Sequence, residues 1–352
     1  MKYMIRLNCD YLEGCHPSIL EKLTATNLEQ TPGYGTDHYC KEAADAIREA
    51  FSCRESAVHF LVGGTQANMT VIAAALRPYE GVLCAETGHI NVHETGAIES
   101  TGHKCLALPH KDGLIAGSQV AVAAATQADD EHTVRPGMVY ISMSTEVGTV
   151  YNRSQLKDLY DTCKQLGLYL FIDGARLGYG LAAPTCDLTP ADIAKFSDVF
   201  TVGGTKMGAL FGEAVVINNP ELNVRFRYMI KQKGGMFAKG RLMGVQFEEM
   251  MKDGLYMELS EHASRLGGEV HNRAQSGEMR LQGDKGDRGS GRPPGFGRDV
   301  RRARNVRGKW WHRARRRRCG ANQGPVGQVG ARARKSASHV QAVCRQRESH
   351  PL

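Results

Sequence analysis

Asp198-Val-Phe-Thr-Val-Gly-Gly-Thr-Lys-Met-Gly-Ala-Leu-Phe-Gly-Glu213 is the stretch on which the reading of this chain turns. A β-branched, apolar run from Val199 to Val202 ends in Gly203-Gly204-Thr205, and a single lysine, Lys206, follows. Small residues and a second apolar run, Ala214 to Ile217, come next. The pattern predicts strand, tight turn, lysine, turn, strand. The glycines admit backbone shapes that other residues avoid and leave room beside the lysine. Two readings stand open on this stretch alone. One is a surface lysine in a glycine-rich hairpin; the other is an amine shielded by apolar neighbours and ready to condense with a carbonyl compound.

Upstream segments discriminate between them. Leu168 to Ile172 is nearly all apolar, as expected of a central parallel strand buried on both faces. Asp173-Gly174-Ala175-Arg176 follows at its carboxyl end, the edge where open α/β sheets bind ligands. A carboxylate there needs a partner, and an Asp173–Arg176 ion pair is one structural alternative. Ala57 to Leu61 reads as a strand running into Gly63-Gly64-Thr65-Gln66-Ala67-Asn68 and an Ala-rich helix from Met69 to Leu76. Free N–H groups and the positive end of a helix dipole make such a turn either an anion cradle or a simple cap. Val82 to Ala85 is a short strand followed by His89 and, four residues on, His93 and Glu94. The His-x-x-x-His spacing is a zinc spacing, but Ile90 stands where a zincin has glutamate, so no metal is expected. Further strands are expected at Val139 to Ser142, and helices at His16 to Thr26, Lys41 to Phe51, Ser154 to Leu166, Pro220 to Met229 and Arg241 to Leu266. The alternation predicts an α/β domain with a mostly parallel sheet and flanking helices.

The net charge of +8 averages two different regions. Glu269 to Leu352 holds 21 basic and 6 acidic residues, so the remainder of the chain is mildly acidic. That tail has no isoleucine and two leucines, Leu281 and Leu352, too few to bury a core, and reads as disordered. The ten cysteines form no Cys-x-x-Cys pair, which suits reduced thiols in a cytoplasmic protein. Met1 to Asp10 lacks the pattern of a signal peptide, and no run approaches the roughly 18 apolar residues of a membrane span.

A phosphate cradle, a histidine after a strand, an aspartate at a buried strand end and a strand-bounded lysine are together what pyridoxal 5′-phosphate needs. The sequence resembles the low-specificity L-threonine aldolases, of the fold-type-I (aspartate-aminotransferase-like) pyridoxal-phosphate enzymes in the beta-eliminating lyase family. The resemblance rests on Pro32-Gly33-Tyr34-Gly35-Thr36-Asp37, Gly63 to Asn68, Gly88-His89 through Gly96-Ala97, Ile172 to Leu177 and Gly203 to Lys206, and it spans Ile5 to Leu266. It implies that Lys206 binds the cofactor as a Schiff base and Asp173 pairs with the pyridine nitrogen. It implies that His89 stacks on the ring, that Gly63, Gly64 and Thr65 hold the phosphate, and that Arg176 meets the substrate carboxylate. Tyr34 and the 231–239 segment would reach a neighbouring subunit's site in a homodimer or homotetramer. Cys9 stands where many relatives place a serine near that carboxylate. The activity implied is cleavage of L-threonine or L-allo-threonine to glycine and acetaldehyde in amino-acid metabolism, with His89 or His93 as the proton acceptor. The alternatives are another fold-type-I lyase that eliminates at Cβ, or an inactive remnant whose basic tail binds polyanions.

The organisation expected is an N-terminal segment (1–30), a cofactor-binding large domain (31–266) and the Arg/Gly-rich tail (267–352). Family members continue with a small C-terminal domain that contributes a further arginine. Here the text from about Gly267 departs from that pattern, as a shifted reading frame would make it, which implies an unstable or weakly active polypeptide. The other reading of the tail is a genuine basic segment whose contacts with nucleic acid would be non-specific.

Overall fold

The structure is a computed structural model that describes residues 7, 9–127 and 130–276, the side chain of residue 127 excepted. The sequence's apolar runs become seven strands: β1 (Ala57–Leu61), β2 (Glu80–Ala85), β3 (Cys105–Leu108), β4 (Arg135–Ser142), β5 (Tyr169–Asp173), β6 (Val199–Gly203) and β7 (Glu213–Ile217). They form one sheet in the order β1-β7-β6-β5-β4-β2-β3. The pairs from β6 to β3 are parallel, while β7 is antiparallel to both neighbours. β1 therefore runs in the same sense as β6. The carboxyl ends of β1, β2, β4, β5 and β6 all meet one edge, and the strand order reverses between β2 and β4, where such sheets open a crevice.

The helices are α1 (Pro17–Ala25), α2 (His38–Ala50), α3 (Gly64–Ala75), α4 (His89–Val92), α5 (Gly117–Gln127) and α6 (Arg153–Leu166). They continue with α7 (Leu177–Leu181), α8 (Pro190–Lys195), α9 (Pro220–Asn223), α10 (Phe226–Gln232), α11 (Arg241–Met251) and α12 (Leu255–Gln275). Alternate strand residues feed two separate cores. Leu170, Ile172, Phe200, Val202, Ala214 and Val216 pack with α2, α6 and α11 residues such as Ile47, Leu159 and Phe247. Phe171, Val199, Val215 and Ile217 pack on the other face with Val71 and Ile72 of α3 and Ile230 of α10. Full burial of each such side chain is worth about 1.5–3 kcal/mol. That holds both layers of helices onto the sheet and makes its carboxyl edge a rigid platform.

Asp198, which opens the decisive stretch, is structural. It is 4 % exposed, accepts from Lys164 Nζ at 2.7 and 2.6 Å, and accepts from the Leu170 N–H at 2.8 Å. Several expected boundaries shift. α2 begins at His38, capped by the Asp37 side chain on the Cys40 N–H, and α3 begins at Gly64, directly after the glycine turn. The single helix expected from Pro220 to Met229 is two, separated at Arg225, whose φ is +59°. The helix expected from Arg241 to Leu266 is likewise broken where Asp253 (φ +53°) and Gly254 (φ +75°) turn the chain left-handed. β3 and α5 carry no strong sequence signal. The composition change placed at residue 267 falls inside α12, and the tail readings beyond residue 276 lie outside the described residues. Among the described residues no helix is long and apolar enough to cross a membrane.

Candidate active site

A cleft of about 350 Å³ opens at the carboxyl edge of the sheet, and Lys206, Asp173, His89, Arg176, Gly63, Gly64 and Thr65 all line it. These residues come from four separate chain segments and meet in one place. The β6–β7 hairpin presents Lys206 half-buried on the cleft wall. Two glycines in the turn after it, Gly208 (φ +109°) and Gly212 (φ +115°), take backbone shapes that side-chain-bearing residues rarely adopt. Between β5 and β6 the approach is so close that a Cβ on Gly174 would lie 1.8 Å from the Thr201 carbonyl oxygen. That contact draws the aspartate and lysine segments together.

Asp173 is 5 % exposed at the tip of β5. Its Oδ2 accepts from Asn68 Nδ2 at 2.9 Å and from the Tyr140 hydroxyl at 2.6 Å, and its Oδ1 accepts from the Ala175 N–H at 2.9 Å. Hydrogen bonds to a charged group contribute about 1.5–3 kcal/mol each. Three of them offset the several kcal/mol that burying a carboxylate costs. Tyr140 is fully buried, and burial first, then the Asp173 charge, push its hydroxyl far above the usual phenol range. It therefore stays a donor. The Asp173–Arg176 ion pair does not form; Arg176 has a different partner.

His89 begins α4, just past β2. Its Nδ1 donates to Glu94 Oε1 at 2.9 Å, and the same oxygen accepts from Asn68 Nδ2 at 2.8 Å. Asn68 thereby links the carboxylates of Glu94 and Asp173. The His89 backbone N–H is held by Glu146 Oε1 at 2.9 Å, and the Ser142 hydroxyl donates to that same oxygen. The Glu94 bond raises the imidazole above its ordinary value, burial opposes it, and the charge of Asp173 adds to the rise. A raised folded value means that the His89–Glu94 pair stabilises the fold fully below the ordinary histidine range and loses that contribution as pH rises through the folded value. Glu94→Gln is expected to lower the His89 titration midpoint and flatten this part of the stability–pH curve. Imidazole NMR titration checks it; an unchanged midpoint contradicts the assignment of Glu94 as the cause.

The Gly63-Gly64-Thr65 turn carries no side-chain cap on α3, and a Cβ built on Gly63 or Gly64 meets nothing within 4 Å. Open space therefore faces the free N–H groups at the start of a 12-residue helix, an arrangement that attracts anions. Across the cleft, Arg176 Nε donates to Asp10 Oδ2 at 2.6 Å, and an NH2 nitrogen donates to Asp10 Oδ1 at 3.1 Å. Burial raises the Asp10 carboxyl, but the bond to Arg176, its charge and that of Lys206 bring it below the usual value. The N-terminal segment therefore fixes the guanidinium with a carboxylate. The same fork geometry suits the carboxylate of a small ligand.

The remaining expected residues are placed differently. His93 is exposed at the C-terminal end of α4, its ring centroid 5.5 Å from that of His89, and it does not line the cleft. Cys9 is half-buried and off the cleft wall; its chain neighbours Asp10 and Tyr11 are the ones that face the site. Within one chain Tyr34 stays away from Lys206. It is 46 % exposed, with Lys231 Nζ 5.0 Å from its ring centre, beside a second, smaller hollow. Among the described residues no cluster could hold a metal ion, and Glu94 Oε1 is taken up by His89 and Asn68. Sequence reasoning singled out neither Tyr140 nor Glu213. Glu213 carried a faint signal, a lone acid opening an otherwise apolar strand, and Tyr140 a hydroxyl within the apolar run of β4.

Residues 9–286 match the beta-eliminating lyase family, and the chain belongs to it. A low specificity L-threonine aldolase of Pseudomonas aeruginosa is 33 % identical over 260 residues, covering 73 % of this chain and 74 % of that protein. The solved threonine aldolase of Leishmania major is 45 % identical, with a TM-score of 0.75, over 77 % of this chain and 79 % of that one. Aspartate aminotransferase of Thermus thermophilus, 14 % identical with a TM-score of 0.60 over 76 % and 69 %, shares the fold. The protein is a pyridoxal-phosphate-dependent lyase of fold type I acting on a small amino-acid substrate. The residues present fit that cofactor. A lysine and a buried aspartate line one cleft, and the open, uncapped Gly63-Gly64 turn offers room and N–H donors for a phosphate.

Proposed function

We propose that the chain cleaves L-threonine or L-allo-threonine to glycine and acetaldehyde. The observation that carries this is the convergence of Lys206, Asp173, His89 and Arg176 on one cleft, in a chain whose relatives bear the threonine aldolase name. Pyridoxal phosphate, when bound, supplies an aldehyde that captures amino groups and a ring that withdraws electrons from the bond being cut. Gly63, Gly64 and Thr65 hold the phosphate, Asp173 keeps a proton on the ring nitrogen, and Lys206 supplies the amine that anchors the group. Arg176, oriented by Asp10, binds the substrate carboxylate, with Cys9 nearby in the chain. His89 takes the β-hydroxyl proton; its place on the cleft wall favours it over the exposed His93.

The chain acts in the cytoplasm as a homodimer or homotetramer, consuming threonine and supplying glycine. Exposed Tyr34 and Phe237, on a surface away from the chain's own cleft, support a role in a neighbouring subunit's site. Product analysis with L-threonine and L-allo-threonine tests the activity. Glycine and acetaldehyde in equal amounts are expected, whereas ammonia and a keto acid would replace this reading with that of an eliminating lyase.

A further inference from the structure

Asn68 lies inside α3, 1 % exposed, beside the buried apolar residues Ala67, Val71 and Ile72. Asparagine ranks low among helix formers, and a polar side chain buried in such company needs partners. Its Nδ2 has two, and both are carboxylates: Asp173 Oδ2 at 2.9 Å and Glu94 Oε1 at 2.8 Å. One amide nitrogen carries two hydrogens, so each carboxylate receives one. The amide Oδ1, by contrast, is buried with no partner. Two acceptors thus face one end of the amide and no donor faces the other, so only the NH2 end can satisfy the pair. The line of bonds runs on. Glu94, whose side chain is fully buried, accepts from His89 Nδ1 at 2.9 Å through the same Oε1. Nε2 is then the imidazole nitrogen left to accept a proton. Asn68 therefore stands inside a line His89–Glu94–Asn68–Asp173, whose ends are the base and the ring-nitrogen partner of the proposed reaction. The charged groups facing His89 are Glu94 from the loop after α4, Asp173 from β5 and Lys206 from the β6–β7 turn. Glu146 holds its backbone N–H, and the His93 ring lies 5.5 Å away.

We propose that Asn68 is a positioning residue for the reaction, one neutral amide that holds Asp173 and the His89–Glu94 pair in a fixed register. The proposal rests on His89 and Asp173 having the roles assigned above. A neutral double donor is what the position requires. Two carboxylates drawn to one nitrogen repel each other, and the two N–H dipoles offset that repulsion while adding no net charge. A cationic side chain there would neutralise the charge that Asp173 holds for the ring nitrogen, and an acidic one would add a third carboxylate. The amide also divides Glu94 Oε1 between two donors, which limits how strongly that oxygen holds the proton of His89 Nδ1. Asn68 touches neither substrate nor cofactor in this role; it acts through the two carboxylates.

The test uses the full-length chain carrying Asn68→Leu, which keeps the branched side-chain shape and removes both hydrogens. Asp173 keeps the Tyr140 hydroxyl and the Ala175 N–H, and the His89 backbone keeps Glu146, so the rest of the site stays in place. With saturating pyridoxal phosphate, kcat for threonine consumption is expected to fall by about 10²-fold, the loss that a misplaced catalytic group produces. KM is expected to be unchanged, because Arg176 and Asp10 are untouched. Imidazole NMR of the cofactor-free chain gives a readout independent of turnover. Without Asn68, Glu94 Oε1 serves His89 alone, and the His89 titration midpoint is expected to move upward. A lowered Tm with wild-type kcat, or a His89 midpoint that stays or falls, overturns the proposal. If Asn68→Leu does not fold, Asn68→Ala, which removes the same two bonds and leaves space, is read in the same two ways. Turnover is scored on threonine consumed, so ammonia and a keto acid as products would overturn the aldolase reading and leave the test of Asn68 standing.

Discussion

Lys206→Ala is expected to abolish the borohydride-sensitive absorbance that the protein acquires with pyridoxal phosphate, and to lower kcat/KM for threonine cleavage by at least about 10⁴-fold, or roughly 5.5 kcal/mol of transition-state stabilisation. The amine is the one amino group that the β6–β7 hairpin presents to the cleft, and alanine leaves none to replace it. The fold should survive. Lys206 is half-buried on the cleft wall, and its backbone oxygen, which accepts from the Tyr179 hydroxyl at 2.5 Å, is untouched by the change. Substitutions away from core and network positions typically stay within about 0.5 kcal/mol. Absorbance spectra, a melting curve and steady-state kinetics on the two proteins separate the outcomes. A normal Tm with the band gone is the expected pair; a band that persists in the variant assigns the covalent anchor to another residue.

Asp173→Asn is expected to leave covalent capture intact while kcat falls by about 10³-fold, because the ring nitrogen loses the negative charge that keeps it protonated. This substitution also probes the hydrogen-bond network. Oδ2 accepts two bonds, from Asn68 and Tyr140, and an amide nitrogen in its place would face two donors. Leaving buried donors unpaired costs about 1–3 kcal/mol, so a fall in Tm should accompany the loss of turnover. Asp173→Glu keeps the charge but lengthens the side chain at a buried strand end and displaces its three hydrogen bonds, so it should cost stability as well as turnover. Activity of Asp173→Asn within tenfold of wild type would sink the assignment of Asp173 to the ring nitrogen.

Sequence and structure agree on the hairpin, the strand-end aspartate and the glycine turn for a common reason. Each is written in local grammar: a run of apolar β-formers, a glycine where the chain must turn, and one chemically distinct residue at the junction. Val199 to Lys206 and Leu168 to Asp173 could be read without knowing which strand lies beside which. The break at Arg225 was not readable in this way, since arginine is not a habitual carrier of positive φ, whereas Asp253-Gly254 is a turn pair set inside a helical apolar pattern. Tertiary packing holds them there.

The partners of the site residues belong to a different order of information. Asn68 reaches Asp173 across 105 positions of chain, Asp10 reaches Arg176 across 166, and Tyr140 arrives from the neighbouring strand. A hydrogen bond needs its two atoms within about 3 Å, and which side chains come that close is set by strand order and register. In a sheet built from crossovers, those bring together segments far apart in sequence. The sequence by itself determined the fold class and the family, and it picked out the lysine, the strand-end aspartate and the glycine turn that line the cleft. Only the tertiary structure decided that Arg176 pairs with Asp10, that His89 and not His93 faces the cleft, and that a buried glutamate, Glu213, lines the same cleft as Lys206. Charge, burial and donor count at those positions depend on neighbours that the linear order does not name.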